Sequence, residues 1–352
     1  GTISGRDEYR GTGGSLYYLR HQDILMGSDR LRIEIRDKDS RVVVGVKNLL
    51  PAIDYDIDYI QGRIVLSEPL PATANDDLLV REESLSGNPV YLVARYEYTP
   101  GFEEINDVAI GGRAHYWLND QVKLGVTVSQ QDEADVQNSL NGIDLTLRKN
   151  AGTWLKAEYA GSEGDGSGVL DSNDGGFTFN ELDQGLNSDT SAGAYRIEGS
   201  TRLEEVFRGS PGSVSAYVQH RDAGFSAPGQ LTATDIDQYG GTLNMTITER
   251  TRLNVKADSR EQKDSLKVAA VEADADYVLT EKWRLNAGGR FDTREDNSAD
   301  VPVTQEQGDR FDLALEATYD SKQDWLAYGF TQFTANATGN REDNNRIGAG
   351  GQ

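Results

Sequence analysis

The feature that most constrains this chain is a long series of stretches, each of roughly ten residues, in which apolar and polar side chains alternate with a period of two. That period places the two sets on opposite faces of a β-strand. About ten tilted residues is also the length that a bilayer asks of a spanning strand. The series begins near Ile105. Val108, Ile110, Gly112, Ala114, Tyr116 and Leu118 share one face, with Gly111, Arg113, His115 and Trp117 on the other. Val122, Leu124, Val126 and Val128 continue it against Lys123, Gly125, Thr127 and Ser129. The most regular stretches come late. Trp283, Leu285, Ala287 and Phe291 face away from Arg284, Asn286, Arg290 and Asp292, and Phe311, Leu313, Leu315, Ala317 and Tyr319 oppose Asp312, Glu316 and Thr318. The pattern predicts about twelve strands and a thirteenth beginning near Arg346.

Alternation alone does not separate a two-sheet sandwich from a barrel, since both bury one face of each strand. The connections separate them. Tight turns are expected at 118–121, 149–152, 248–251, 280–282 and 320–324, and long or polar connections near 130–141, 161–190, 221–237, 259–265, 294–309 and 335–345. This short–long rhythm is that of an antiparallel up-and-down transmembrane β-barrel, with 204–212 as an exception. Tyr116, Tyr159, Tyr195, Tyr239, Tyr277, Trp283, Phe291, Phe311 and Tyr319 lie toward strand ends on the apolar face, as interfacial girdles do.

Composition agrees where it bears on the matter. No stretch approaches the ~20 apolar residues of a spanning helix, so a membrane would have to be crossed by strands. The absence of cysteine removes disulfides and thiol chemistry. A formal net charge of −23 argues against nucleic-acid binding, which needs a basic stripe. The chain starts at Gly1 with no basic and apolar leader, which reads as a processed product or a piece of something longer.

The first hundred residues differ. Short runs such as Leu31–Ile35, Val42–Val46, Arg63–Leu66 and Tyr91–Tyr98 are divided by Gly, Pro and Asp turns, which predicts a small β-sandwich-like module over 1–103 ahead of a barrel region over 104–352. Thr99-Pro100-Gly101 closes the module. The segment from Asp54 through Tyr59, Gly62 and Pro69 to Leu70, together with Val93–Tyr98, resembles a β-module of very large Gram-negative outer-membrane proteins, where it leads into a porin-like or TonB-receptor-like barrel. The resemblance implies a bacterial outer-membrane location with the module in the periplasm. It also implies outer-membrane lipid and periplasmic or envelope proteins as partners. Gly348-Ala349-Gly350-Gly351-Gln352 lacks the terminal aromatic residue of that class, so the wall is expected to stop within its thirteenth strand.

The polar face supplies the candidate lumen residues: Arg113, Lys123, Lys156, Glu158, Arg196, Glu198, Arg252, Lys256, Glu272, Asp274, Asp276, Arg284, Arg290, Asp312 and Glu316. Such charges either set ion selectivity in an open pore or pair with one another and fill a closed one. If the pore is open, Glu272, Asp274 and Asp276 favour cations, because carboxylates side by side repel unless cations or arginines answer them. Asp165, Asp171 and Asp174, in a glycine-rich stretch, are candidate Ca²⁺ ligands, although their spacing does not match the twelve-residue EF-hand pattern. No other cofactor is expected. His220-Arg221-Asp222, at a strand end, admits an Asp/His water-activating pair, against the plainer reading of an exposed rim histidine. The expected function is that of a passive channel or surface scaffold and not of an enzyme. The alternative is a soluble cell-surface β-protein binding glycans or cations through acidic loops, and an outer-membrane hydrolase comes third.

Overall fold

The computed structural model describes residues 2–38, 41–74, 79–80, 87–99, 108–133, 136–164, 170–179, 191–207, 211–227, 230–298 and 306–351. Among them the chain is all-β apart from one 3-10 turn, Leu203–Glu205. No helix is long and apolar enough to cross a membrane.

Eight strands form the N-terminal module: β1 (Ile3–Arg10), β2 (Leu16–Tyr18), β3 (Arg30–Arg36), β4 (Val43–Asn48), β5 (Tyr55–Asp58), β6 (Arg63–Leu66), β7 (Thr73–Ala74) and β8 (Asn88–Tyr98). The larger of its two sheets runs β1-β8-β3-β4, with β7 on β8, and the smaller runs β2-β6-β5. Alternate residues from both sheets, including Tyr9, Tyr17, Leu31, Tyr55, Ile64, Leu92 and Tyr96, meet in one core. Buried Asp7 accepts hydrogen bonds from the Tyr96 and Tyr9 hydroxyls at 2.7 and 3.2 Å and from the Arg20 backbone at 3.0 Å. His21 stacks on Tyr98 with ring centroids 3.7 Å apart. Burial, with the neighbouring Arg20, pushes its pKa down to about 4, so the ring is neutral near pH 7.

The second part is one antiparallel sheet of thirteen strands. In chain order they are β9 (Val108–Trp117), β10 (Val122–Glu133), β11 (Val136–Asn150), β12 (Thr153–Gly164), β14 (Ser191–Arg202), β15 (Gly212–Arg221), β18 (Ile236–Thr248), β19 (Thr251–Gln262), β20 (Leu266–Val278), β21 (Trp283–Asp296), β22 (Gly308–Asp320), β23 (Leu326–Ala337) and β24 (Arg346–Gly351). Three short strands lie in the connections: β13 (Leu170–Ser172), β16 (Ser226–Ala227) and β17 (Gln230–Leu231). Each strand of the sheet pairs with its chain neighbours, which is the up-and-down topology of the barrel class, and the thirteenth starts at Arg346 as the periodicity predicts. Among the described residues no ladder joins β9 to β24.

Two expected long connections are absent. β10 continues to Glu133 and β11 starts at Val136, so residues 130–133 and 136–141 are paired strand. Likewise β19 ends at Gln262 and β20 begins at Leu266, where 259–265 was expected to be a connection. The physical reason is that a ladder needs only backbone groups. Beyond the apolar band both faces turn polar, alternation vanishes, and the hydrogen bonding goes on. The 204–212 exception holds the 3-10 turn, where Glu205 reaches back to the neighbouring turn and accepts from Lys149 at 2.5 Å and Asn150 at 2.6 Å.

Burial in this sheet is inverted relative to a water-soluble protein. Ile143, Val271, Phe291 and Leu315 are 62, 49, 45 and 53% exposed, while Glu272, Asp274, Arg290 and Asp312 are 2, 2, 1 and 0% exposed. The apolar set faces outward and the charged set is enclosed.

Part of what encloses it is the module. In the turn after β3, Asp37 takes an ion pair from Lys256 of β19, and Lys38 lies 3.4 Å from Glu272 of β20. Gly288 of β21 permits a close approach there, since a Cβ at that position would lie 3.2 Å from the Leu79 Cβ. The connection between β12 and β14 returns the contact: β13 adds to the module's larger sheet as a parallel neighbour of β1, Asp7 opposite Leu170 and Tyr9 opposite Ser172.

Candidate functional site at the seam of module and wall

Antiparallel pairing dictates which polar residues meet. Ladder partners place Glu272 opposite Arg290, Arg290 opposite Asp312, and Asp292 opposite Arg310, so opposite charges meet across β20, β21 and β22 and alternate along β21 and β22. The side chains complete what the register sets up. Arg290 donates to Glu272 at 3.1 Å, Arg310 donates to Asp312 at 2.9 Å, and Thr334 of β23 donates to the other Asp312 oxygen at 2.7 Å. Arg341, from the connection after β23, pairs with Asp292 at 2.7 Å and with Glu306 at 3.1 Å. Lys38 makes the module a member of this network through Glu272.

Arginine suits such a place because its planar fork bonds two carboxylates at once and its charge is not given up on burial. Charges this enclosed persist only when each is answered. Two of the three carboxylates expected to draw cations in an open pore are held by protein groups. Glu272 is answered by Arg290 and Lys38, Asp274 accepts from Asn254 at 3.1 Å, and Asp276 stands opposite Arg252 and Asn286 in the ladder.

The remaining lumen candidates share the same face but spread along the wall. Lys256 joins Asp37 and lies 3.8 Å from Asp258. Arg196 pairs with Glu198 at 2.8 Å, with Lys156 3.5 Å from that carboxylate. Glu158 stands opposite both Asp144 and Arg196. Glu316 accepts from Thr318, and Arg284 stands opposite Thr318. Toward the β9 edge, Arg113 pairs with Asp144 at 2.7 Å and Lys123 lies over the Trp117 ring. Apart from Lys256, these do not converge on the seam.

Period-two counting finds most of the seam but omits Arg310, which precedes Asp312 by two and was open to the same rule. Arg341, Asp37 and Lys38 carry no such signal, since each lies outside the strands of the sheet.

Asp165 lies outside the described residues. Asp174 is occupied by its own loop: it accepts from the Phe177 and Thr178 backbones, both at 3.0 Å, and from the Thr178 hydroxyl at 2.6 Å, which holds its carboxyl well below the usual range. Asp171 pairs with Glu8 across β13 and β1. Among the described residues no group of three metal-ligating side chains assembles.

His220 has Asp237 2.7 Å from Nδ1 and Asp222 2.9 Å from Nε2, and Tyr195 stacks nearby. A carboxylate lies at each ring nitrogen, so the side chain bridges β15 to the start of β18, and the two carboxylates favour the protonated ring.

No family model matches this chain, and no curated protein matches it. Among solved structures it is similar to OmpTdeltaL8, a loop L8 deletion mutant of OmpT, an outer membrane protein of Vibrio cholerae, at 11% identity and a TM-score of 0.32, over 98% of each chain. At this level of similarity the likeness supports neither the porin-like nor the TonB-receptor-like resemblance. The expectation that the chain is not an enzyme is withdrawn here as a correction. A β-barrel scaffold hosts chemistry as readily as passage, so the fold gives no ground for that expectation.

Proposed function

We propose that this chain is a bacterial outer-membrane β-barrel protein whose wall faces lipid and whose N-terminal module seats against the wall's charged inner face as a plug, making it a gated passage. The inverted burial of the sheet carries the proposal. Exposed Val271, Phe291, Leu315 and their neighbours form an apolar surface far larger than a water-soluble monomer leaves uncovered, and a bilayer is the solvent that suits it. The module's place supports the gating part. Asp37, Lys38 and Leu79 meet three adjacent wall strands, whereas a purely periplasmic docking piece would have no need of such pairs.

Leu285→Arg or Leu315→Arg should lower stability in lipid by about 2–4 kcal/mol if these positions lie near the bilayer midplane. Urea titration in liposomes reads this. A loss near zero in lipid, with parent protein that stays monodisperse without detergent, would instead favour a soluble cell-surface protein.

A further inference from the structure

At one end of the sheet the inner face holds positive charges that no carboxylate answers among the described residues. Arg260 of β19 stands opposite Gln238 on one side and Val268 on the other, and Val268 stands opposite Arg294 of β21. Arg221 of β15 lies opposite Ile236, one inner position further along β18 from Gln238. The Nε groups of Arg221, Arg260 and Arg294 are each buried without a hydrogen-bond partner among the described residues. Arg41, at the start of the segment leading into β4 of the module, is a further cation in electrostatic range of Arg260, as is Arg221. Arg196, also in electrostatic range of Arg221, is already held by Glu198 and Gln219.

This runs against the rest of the molecule. The chain has 58 acidic residues to 35 lysines and arginines, and the neighbouring inner-face network interleaves the two signs. Here the inner positions between one arginine and the next are Ile236, Gln238 and Val268, none of them acidic. A guanidinium does not shed its proton to relieve mutual repulsion, and a buried cation without a partner is costly. A planar donor fork is suited to oxyanions, which it binds through two parallel hydrogen bonds.

We propose that Arg41, Arg221 and Arg260, flanked by Arg294, form a binding site for a phosphate-class oxyanion at the seam of module and wall. Because Arg41 comes from the module and the others from the wall, the bound anion bridges the two and steadies the module in its seat. The site is independent of what the barrel passes.

The test is a calorimetric titration of the full chain in non-ionic detergent with inorganic phosphate, at constant ionic strength set by chloride, with the thermal midpoint read in parallel. Phosphate should bind saturably and raise the midpoint. Arg260→Gln and Arg221→Gln should each weaken binding by about ten-fold or more, as loss of a charge-assisted pair does. In phosphate-free chloride the same variants should melt no lower than the parent, since each removes one of several repelling charges; this separates a lost site from a lost fold. Arg250→Gln, in a distant turn, should leave binding unchanged. A second arm adds phosphatidylglycerol in place of phosphate. Saturation by the lipid alone would assign the same site to a headgroup phosphate. Equal midpoints in phosphate, phosphatidylglycerol and chloride would overturn the proposal, and so would an affinity that the Arg260 and Arg221 variants do not change.

Discussion

Arg290→Met should destabilise the protein by about 3–5 kcal/mol, the largest effect expected of any single substitution in the wall. Arg290 is among the largest fully buried side chains, at 1% exposure. It donates to Glu272 and lies 3.8 Å from Asp292. Methionine keeps much of the volume and removes the charge, so what remains is carboxylate against carboxylate in an enclosed space. Lys38 and Arg341 stay beside Glu272 and Asp292 and soften the loss without abolishing it. Arg290→Lys should recover only part of it, because an ammonium cannot reach two carboxylates in the fork geometry. Unfolding in urea from detergent or lipid checks this. A loss below about 1 kcal/mol, the scale of an exposed ion pair, would mean that the network is open to water.

The second large effect concerns the seat of the module. Asp37→Lys with Lys38→Glu sets like charges against Lys256 and Glu272 while leaving the module's core untouched. Breaking a buried pair costs about 3–5 kcal/mol, enough to shift a seated–unseated equilibrium by two or more powers of ten. In planar bilayers the parent should pass little current and the double variant should open. Exchanging the wall partners to match, Lys256→Glu with Glu272→Lys, should close it again. A parent that already conducts as the variant does, or an exchange that restores nothing, would remove the gating role.

How much of this was open to a reading of the sequence follows from which physical constraint each part obeys. Wall strands obey a strict alternation because lipid and an enclosed charged face are opposite demands, and so Leu285 against Arg290, or Leu315 against Asp312, can be sorted by counting. Strand ends obey no such demand, and the extensions of β10 and β19 past the apolar band went unseen for that reason. Faces can be counted, but partners cannot: that Glu272 answers Arg290 depends on register, which turn geometry sets. The module's position is less legible still. Asp37 and Lys38 look like any polar turn, and only folded coordinates bring them to strands more than two hundred residues later in the chain. The strand Leu170–Ser172 lies in a segment whose glycines and aspartates suggested a cation loop, and its pairing with β1 has no local signal at all.

The central claim is that the sheet is inside-out, with lipid on its apolar face and an enclosed charged face. Single nitroxide labels placed in turn at positions 284 to 291 of β21 and 311 to 318 of β22, in the lipid-reconstituted protein, test it most directly by comparing accessibility to oxygen and to a water-soluble nickel chelate. The account predicts high oxygen accessibility at 285, 287, 291, 311, 313, 315 and 317, and low accessibility to both reagents at 288, 290, 312 and 314, in a period of two. Flat profiles, or labels at 285, 291 and 315 that meet the nickel chelate more than oxygen, would contradict it.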